Sequence, residues 1–339
     1  MSRKNTTKWL GAYLYYNEPW EEFLVEGIRP YIQTALSTGI AQQFFFIRYW
    51  DRGPHIRLRF KGEAESIDNI LRPNLTEHFY SYFDSRPSAR KDPAYPDDLP
   101  AAHHWLPNNS LYFVDYEPEF HRYGGLRGID IAEQHFQHSS EVVLQNLSNR
   151  VGQWSYDEAL GMAIKLHLCF VHSLGMSLHT MHDFFHYLFY NWLPASVRAY
   201  RQGQTPKAYQ QRVKATLEAF NRAYTSQQKV ILPFQLALWE ALDEQASFED
   251  EALNQWVSQL KWLRSELRKS NRAGALQLPP LRGNDLPEAR PEQEFWELYT
   301  SYIHMTNNRL GILNRDEGYV AYLMMQGSKY LIRQEGKVK

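Results

Sequence analysis

The sequence holds a single cysteine in 339 residues, so no disulfide can form within the chain. That residue, Cys169, sits in an apolar pattern and reads as a buried, inert thiol rather than a nucleophile. Neither an HExxH segment nor a CxxC pair is present, which removes the commonest zinc signatures. No apolar run approaches the ~18 residues of a membrane-spanning helix, and the N-terminal MSRKNTTKWL lacks an apolar core of signal-peptide length. An excess of one charge is missing too: the net charge is −1 and the sequence pI about 6.9, against the basic excess of a dedicated nucleic-acid binder. These absences predict a cytoplasmic chain with no membrane contact and no direct nucleic-acid partner.

Aromatic residues are abundant instead. Ten Trp, 22 Tyr and 18 Phe make up 15% of the chain, enough for a large core and for ring-lined clefts. At roughly 150 residues per domain the length allows two domains or one large one. One continuous body over residues 1–339 is the preferred reading, with any sub-boundary near residue 126.

The first third alternates strands and helices. Trp9 to Tyr16 is β-prone and stops at Asn17-Glu18-Pro19, and Trp20 to Leu36 has helical apolar spacing that ends near Gly39. Gln42 to Trp50 and His55 to Phe60 flank the turn Asp51-Arg52-Gly53-Pro54 and form a hairpin. Ala64 to Phe83 is helical, with Pro73 as a kink or early break. A Pro-rich loop, Asp84 to Ser110, leads to a short strand, Leu111 to Tyr116. Beyond Arg127 the periodicity is helical: Ile129–Leu147, Ser155–Leu174, Ser177–Trp192, Ala208–Tyr224, Pro233–Leu267 with a break near Ser247, Pro291–Leu313 and Glu317–Ile332. A second long loop, Ser270 to Arg290, carries Pro279, Pro280 and Pro287 with Gly274 and Gly283. The fold class is α+β, with a β-rich N-terminal third containing an antiparallel hairpin and a largely helical remainder.

Three polar clusters could carry chemistry. Arg57 and Arg59 share one strand face, with His55 beside them and Arg48 across the hairpin. Arginine grips carboxylates through paired hydrogen bonds, so the cluster suits an anion; the plainer alternative is a solvated sheet face. Second, YEPEFHRYGG places Glu119 and Arg122 three apart, next to Tyr123 and two glycines that permit close backbone approach; a turn with a local ion pair is the alternative. Third, SYIHMTNNRLGI offers His304 as an acid or base near neutral pH, with Asn308 one turn on to orient it, against a histidine that merely fills a helix face. His179, His182 and His186, with Asp183, form a stripe with zinc-like spacing, but a polar helix face explains it as well.

Together and in this order, FFFIRYWDRGPHIRLRF, YEPEFHRYGG and SYIHMTNNRLGI resemble the C-terminal, glutamate-elimination part of lantibiotic dehydratases, which also occurs as separate chains in split dehydratases and as thiopeptide-type bacteriocin biosynthesis proteins. The resemblance runs from about Trp9 past Gly311; the stretch between Arg127 and Arg290 adds little to it. It implies that a separate tRNA-dependent glutamylation subunit esterifies Ser or Thr of a precursor peptide, and that this chain, too short for both parts, removes the glutamate to leave a dehydroamino acid. It implies Arg57, Arg59, Glu119, Arg122 and His304 as catalytic residues. Arg48, His55, Tyr123 and Asn308 stand beside them as substrate-contacting residues. The chemistry requires no organic cofactor and no metal, and a homo-oligomer fits the aromatic surfaces. Two other readings stay open: a formal [4+2] cycloaddition of dehydroalanines, as in thiopeptide pyridine synthases, and a non-catalytic peptide-binding subunit. The full Arg/Glu/Arg/His set favours elimination.

Overall fold

A computed structural model describes residues 6–193, 206–282 and 293–338. The expected helix start at Pro291, and the part of the second loop holding Gly283, Pro287 and Arg290, lie outside the described residues. By proximity the chain divides into two compact units. The first comprises Met1–Glu119 and Glu133–Trp154, and the second Phe120–Ala132 and Ser155–Lys339.

In the first unit the strands are β1 (Thr7–Tyr15), β2 (Gln43–Tyr49), β3 (His55–Glu63) and β4 (Ser110–Val114). They form one antiparallel sheet in the order β2-β3-β1-β4. Helical segments lie between β1 and β2 and between β3 and β4, and with this sheet order they make the βαββαβ, ferredoxin-like topology. Side chains alternate along β3. Ile56, Leu58 and Phe60 are buried, whereas Arg57, Arg59 and Lys61 are half-buried on the other face. The apolar face, continued by Leu10, Ala12, Leu14, Phe44 and Phe46, packs on the helices, for example Tyr31 against Phe60 at 5.9 Å.

Both helical segments share one device. A single turn and a π turn (Phe23–Ile28; Ile67–Leu71) lead into α1 (Arg29–Ser37) and α2 (Arg72–Ser85), each of which opens with Arg-Pro. Proline lacks an N–H and its ring crowds the carbonyl four residues back. The wider π turn accommodates that ring, so Pro73 neither breaks nor ends its helix. The Pro-rich loop after α2 lies over the hairpin turn: Leu106 N donates to Arg52 O (2.8 Å), and Trp105 packs where a Cβ on Gly53 would fall. Asn17 holds the loop through Asp92 and Asn108 at 2.9 and 3.0 Å.

Helix α3 (Gly125–Ser148) starts in the second unit and ends in the first, where Phe136 meets Phe45 at 5.3 Å. The second unit continues with α4 (Tyr156–Ser173), α5 (Leu178–Asn191), α6 (Pro206–Asp243), α7 (Glu251–Arg272), α8 (Trp296–Leu310) and α9 (Glu317–Val338). Ser155, Ser177 and Asp250 cap their helices by accepting from the N–H three residues on. One expectation is corrected here. Ala208–Tyr224 and the start of Pro233–Leu267 belong to a single 38-residue helix that runs through Pro233, while the break expected near Ser247 is present, at 244–250. Leu238, Trp239 and Leu242 keep the inner face of α6 buried past the proline, which offsets the one lost backbone bond. Among the described residues no helix is long and apolar enough to cross a membrane.

Candidate functional site

In the first unit the arginine pair stands on the sheet face opposite α1 and α2. The register sets Arg57 between Tyr13 and Ile47, and Arg59 between Gly11 and Phe45. The Arg57 guanidinium lies 3.5 Å from the Tyr49 ring centre and 4.5 Å from that of Tyr13. Its Nε donates to His55 Nε2 at 3.1 Å. His55 is fully buried, and its Nδ1–H donates to Gly53 O at 2.8 Å, which fixes the tautomer with Nε2 as acceptor. Burial pushes the His55 pKa down to about 4, so the ring is neutral at pH 7. His55 therefore holds Arg57 in place and is no proton carrier.

Arg59 lies over Tyr116 (4.7 Å) and Phe45 (5.1 Å). Burial lowers its pKa, yet the head remains a cation. Its Nε is buried and has no hydrogen-bond partner among the described residues. The acid beside the pair, Asp51, is 4.0 Å from Arg57 and 69% exposed, too loose to neutralise two guanidiniums. Aromatic rings shape and desolvate these cations without cancelling their charge, as an anion site needs.

Arg48 does not join them. It pairs with Ile56 in the register and so points to the helix-covered face, where it is 3% exposed and holds Glu21 at 2.6 Å. A strand's period of two separates Arg48 from the arginine pair, and the expectation that it contacts substrate beside them is corrected. Glu119, at the end of the first unit, is exposed.

The second unit brings two of the three clusters together. The turn before α3 ends in Gly124 and Gly125, with φ of 86° and 82°, a region that glycine enters without strain. It sets Arg122 Nε 3.1 Å from Ser301 Oγ, and the buried Tyr123 ring stacks with Tyr302 at 6.0 Å. One turn further along α8, His304 Nδ1 donates to Glu317, 2.8 Å from Oε1 and 3.1 Å from Oε2. Glu317 is 5% exposed and His304 25%, so the carboxylate is sheltered while the imidazole reaches solvent. Asn307 Nδ2 donates to Glu317 Oε1 (3.2 Å), and Asn307 Oδ1 accepts from His167 Nε2 (2.7 Å). His167 is buried and its pKa falls to about 4, so it serves as a neutral donor. The chain His167–Asn307–Glu317–His304 fixes the His304 tautomer with Nε2 as its outward base.

Glu317, Asn307 and His167 were missed by sequence reasoning, which gave the orienting role to Asn308. Gly311, at φ 88°, ends α8, and six residues later Glu317 opens α9. A helix stop followed by an acid at the next helix start was the available signal. The histidine stripe on α5 is bound up in helix packing: His182 Nδ1 lies 3.0 Å from Ser328 Oγ and 3.3 Å from Met325 O. Among the described residues no group of three or more His, Cys, Asp or Glu is arranged to hold a metal ion. Cys169 is buried, and its thiol is pushed up to about 12 by desolvation.

The family model for the C-terminal part of lantibiotic biosynthesis dehydratases matches residues 9–328. The chain belongs to that family. A curated relative, the subtilin biosynthesis protein SpaB of Bacillus subtilis, is 32% identical over 135 residues, which are 40% of this chain and 11% of that protein. The chain thus spans about a tenth of that relative's length. Three solved structures share the fold. The pyridine synthase TbtD from thiomuracin biosynthesis has a TM-score of 0.70 at 18% identity, covering 96% of this chain and 99% of TbtD. TsrL has a TM-score of 0.62 at 17% identity, over 97% and 96%. The tRNA-dependent lantibiotic dehydratase MibB from Microbispora sp. 107891 has 0.57 at 19% identity, over 98% of this chain and 29% of MibB. Membership ties the chain to lantibiotic biosynthesis.

Proposed function

We propose that the chain eliminates glutamate from glutamylated Ser or Thr of a precursor peptide, working in the cytoplasm beside a separate tRNA-dependent glutamylation subunit. The observation that carries this is the pair Arg57 and Arg59: neighbouring cations on one strand face, fixed by rings and by a neutral His55, with one loose acid, Asp51, near them among the described residues. Glutamate delivered from tRNA is esterified through its α-carboxyl. The bound glutamyl group then carries a free γ-carboxylate, and its α-carboxylate is released when the ester breaks. Two guanidiniums match the two carboxylates of the leaving acid.

In the reaction a base removes the Cα proton of the esterified residue. The C–H electron pair forms the Cα=Cβ bond, the Cβ–O bond breaks, and its pair leaves with the α-carboxylate. His304 is the base, because Glu317 holds Nδ1–H and stabilises the imidazolium that forms. The arginines stabilise the charge gathering on the departing carboxylate. Arg122 contacts the substrate near His304, and the buried Tyr123 packs behind it against Tyr302. Glu119, exposed and outside the His304 hydrogen-bond chain, is not assigned the proton transfer.

The test is a synthetic peptide with one O-glutamyl serine, followed by mass spectrometry. Loss of glutamate with formation of dehydroalanine supports the proposal. Persistence of the ester refutes it, and so does ring formation from a peptide already carrying two dehydroalanines without any action on the ester.

A further inference from the structure

Two residues beyond Arg59 on the same face of β3, Lys61 meets different surroundings. Its ammonium lies 3.3 Å from Glu133 Oε2 and 5.4 Å over the Trp9 ring. Glu133 is 4% exposed, and Trp9 and Tyr116 also hydrogen-bond to it. This third cation of the strand is therefore neutralised from within the protein, unlike the arginine pair.

Around Lys61 the surface opens into a cavity of about 460 Å³, lined also by Thr7, Gln42, Gln43, Gln134, Gln137 and His138. Four of its seven lining side chains are primary carboxamides. A carboxamide offers N–H donors and a carbonyl acceptor without charge, the same kinds of group as a peptide unit. The Gln43 Nε2 group is buried and has no hydrogen-bond partner among the described residues, a donor that a bound acceptor would satisfy. An ionised ligand would lose hydration here and gain no opposite charge, whereas a neutral hydrogen-bonding ligand recovers what it loses. Two residues of strand span about 7 Å, roughly the length of two extended peptide residues. A segment one or two residues from a group held at Arg59 therefore reaches the cavity.

We propose that this carboxamide-lined cavity is a subsite for the substrate peptide, holding the uncharged backbone and polar side chains that flank the glutamylated residue. The inference rests on the elimination reading for what occupies the arginines, but peptide capture at Gln43 is measurable without turnover. Selection for neutral flanks follows: Asp or Glu beside the modified residue would carry a charge into a site that offers no free cation.

The experiment uses the full chain and a fluorescein-labelled nine-residue peptide of Gly, Asn, Ser and Thr with one central 2,3-diaminopropionate that carries the glutamyl group as an amide, so that no glutamate is lost during the measurement. Its affinity is read by anisotropy at pH 7. The N-acetyl, C-terminal carboxamide form of the same glutamylated diaminopropionate, which has no flanking residues, serves as an unlabelled competitor. Gln43→Met is expected to weaken the nonapeptide roughly five- to tenfold, with Gln137→Met as a second variant on a separate element. The effect should vanish for the minimal competitor, while Arg59→Met weakens both ligands. Unchanged nonapeptide affinity in both glutamine variants overturns the proposal, as does equal weakening of peptide and minimal ligand. If the wild type releases no glutamate but nonapeptide binding still depends on Gln43 and Gln137, the subsite stands and the elimination reading falls.

Discussion

The two units hold their polar groups in contrasting ways. On the sheet, Arg57 and Arg59 are framed by Tyr13, Tyr49, Phe45 and Tyr116, and Arg59 keeps an unmet donor. In the helical unit, Glu317 accepts from both His304 and Asn307, and Asn307 in turn accepts from His167. The first arrangement leaves charge uncompensated and suits binding a charge from outside. The second converges two donors on Glu317, which fixes one ring and suits moving a proton. This contrast underlies the proposal that β3 binds the leaving acid and that His304 on α8, held by Glu317 on α9, moves the proton.

The largest effect should come from the proton-moving side. His304→Ala is expected to lower kcat about 10²- to 10⁴-fold with KM little changed. Glu317→Gln keeps the shape but loses the charge that holds Nδ1–H, and should lower kcat at least tenfold. Steady-state kinetics on a glutamylated peptide reads both; a change in KM alone would erase the contrast. Arg59→Ala comes next. Loss of a charge-assisted contact, about 1.5–3 kcal/mol, should cut kcat/KM roughly 10- to 150-fold and abolish competition by free glutamate. Retained competition would remove the acid-binding role.

Stability against pH gives a smaller effect. His55 and His167 titrate near 4 when folded, against about 6.5 in an unfolded chain. As pH falls below 6.5 the unfolded chain takes up protons that the folded chain refuses, so stability is full above 6.5 and declines toward 4. Between pH 7 and 5.5 the loss is about 1 kcal/mol per histidine. Urea denaturation of wild type and His55→Gln should show a shallower decline in the variant; parallel curves would place a charged His55 in the fold. The smallest effect on turnover is expected of Arg48→Met. Removing the buried partner of Glu21 costs stability, up to about 3 kcal/mol, but leaves kcat/KM unchanged. A fall in kcat/KM would return Arg48 to the substrate side.

The contrast was only half legible in sequence. Alternation along HIRLRF put Arg57 and Arg59 on one face because a strand's period is local. The strand and helix order of the ferredoxin-like unit was legible for the same reason. Its sheet order was not, since seating β1 between β3 and β4 depends on contacts distant in the chain. Arg48 shows the same limit: its face follows from cross-strand register with Ile56, not from nearness to the turn. Glu317 lies 13 residues from His304, and only the turn after Gly311 brings the two together. The continuation of α6 through Pro233 was hidden because burial beyond the proline outweighed a local break signal.

The most direct test of the division of labour separates proton removal from departure of the acid. A peptide whose serine ester is replaced by the glutamyl amide of 2,3-diaminopropionate keeps the acid but holds it by a bond that breaks poorly. In deuterated water, Cα deuterium incorporation is expected with the wild-type chain and none with His304→Gln. Equal exchange in both would contradict that division.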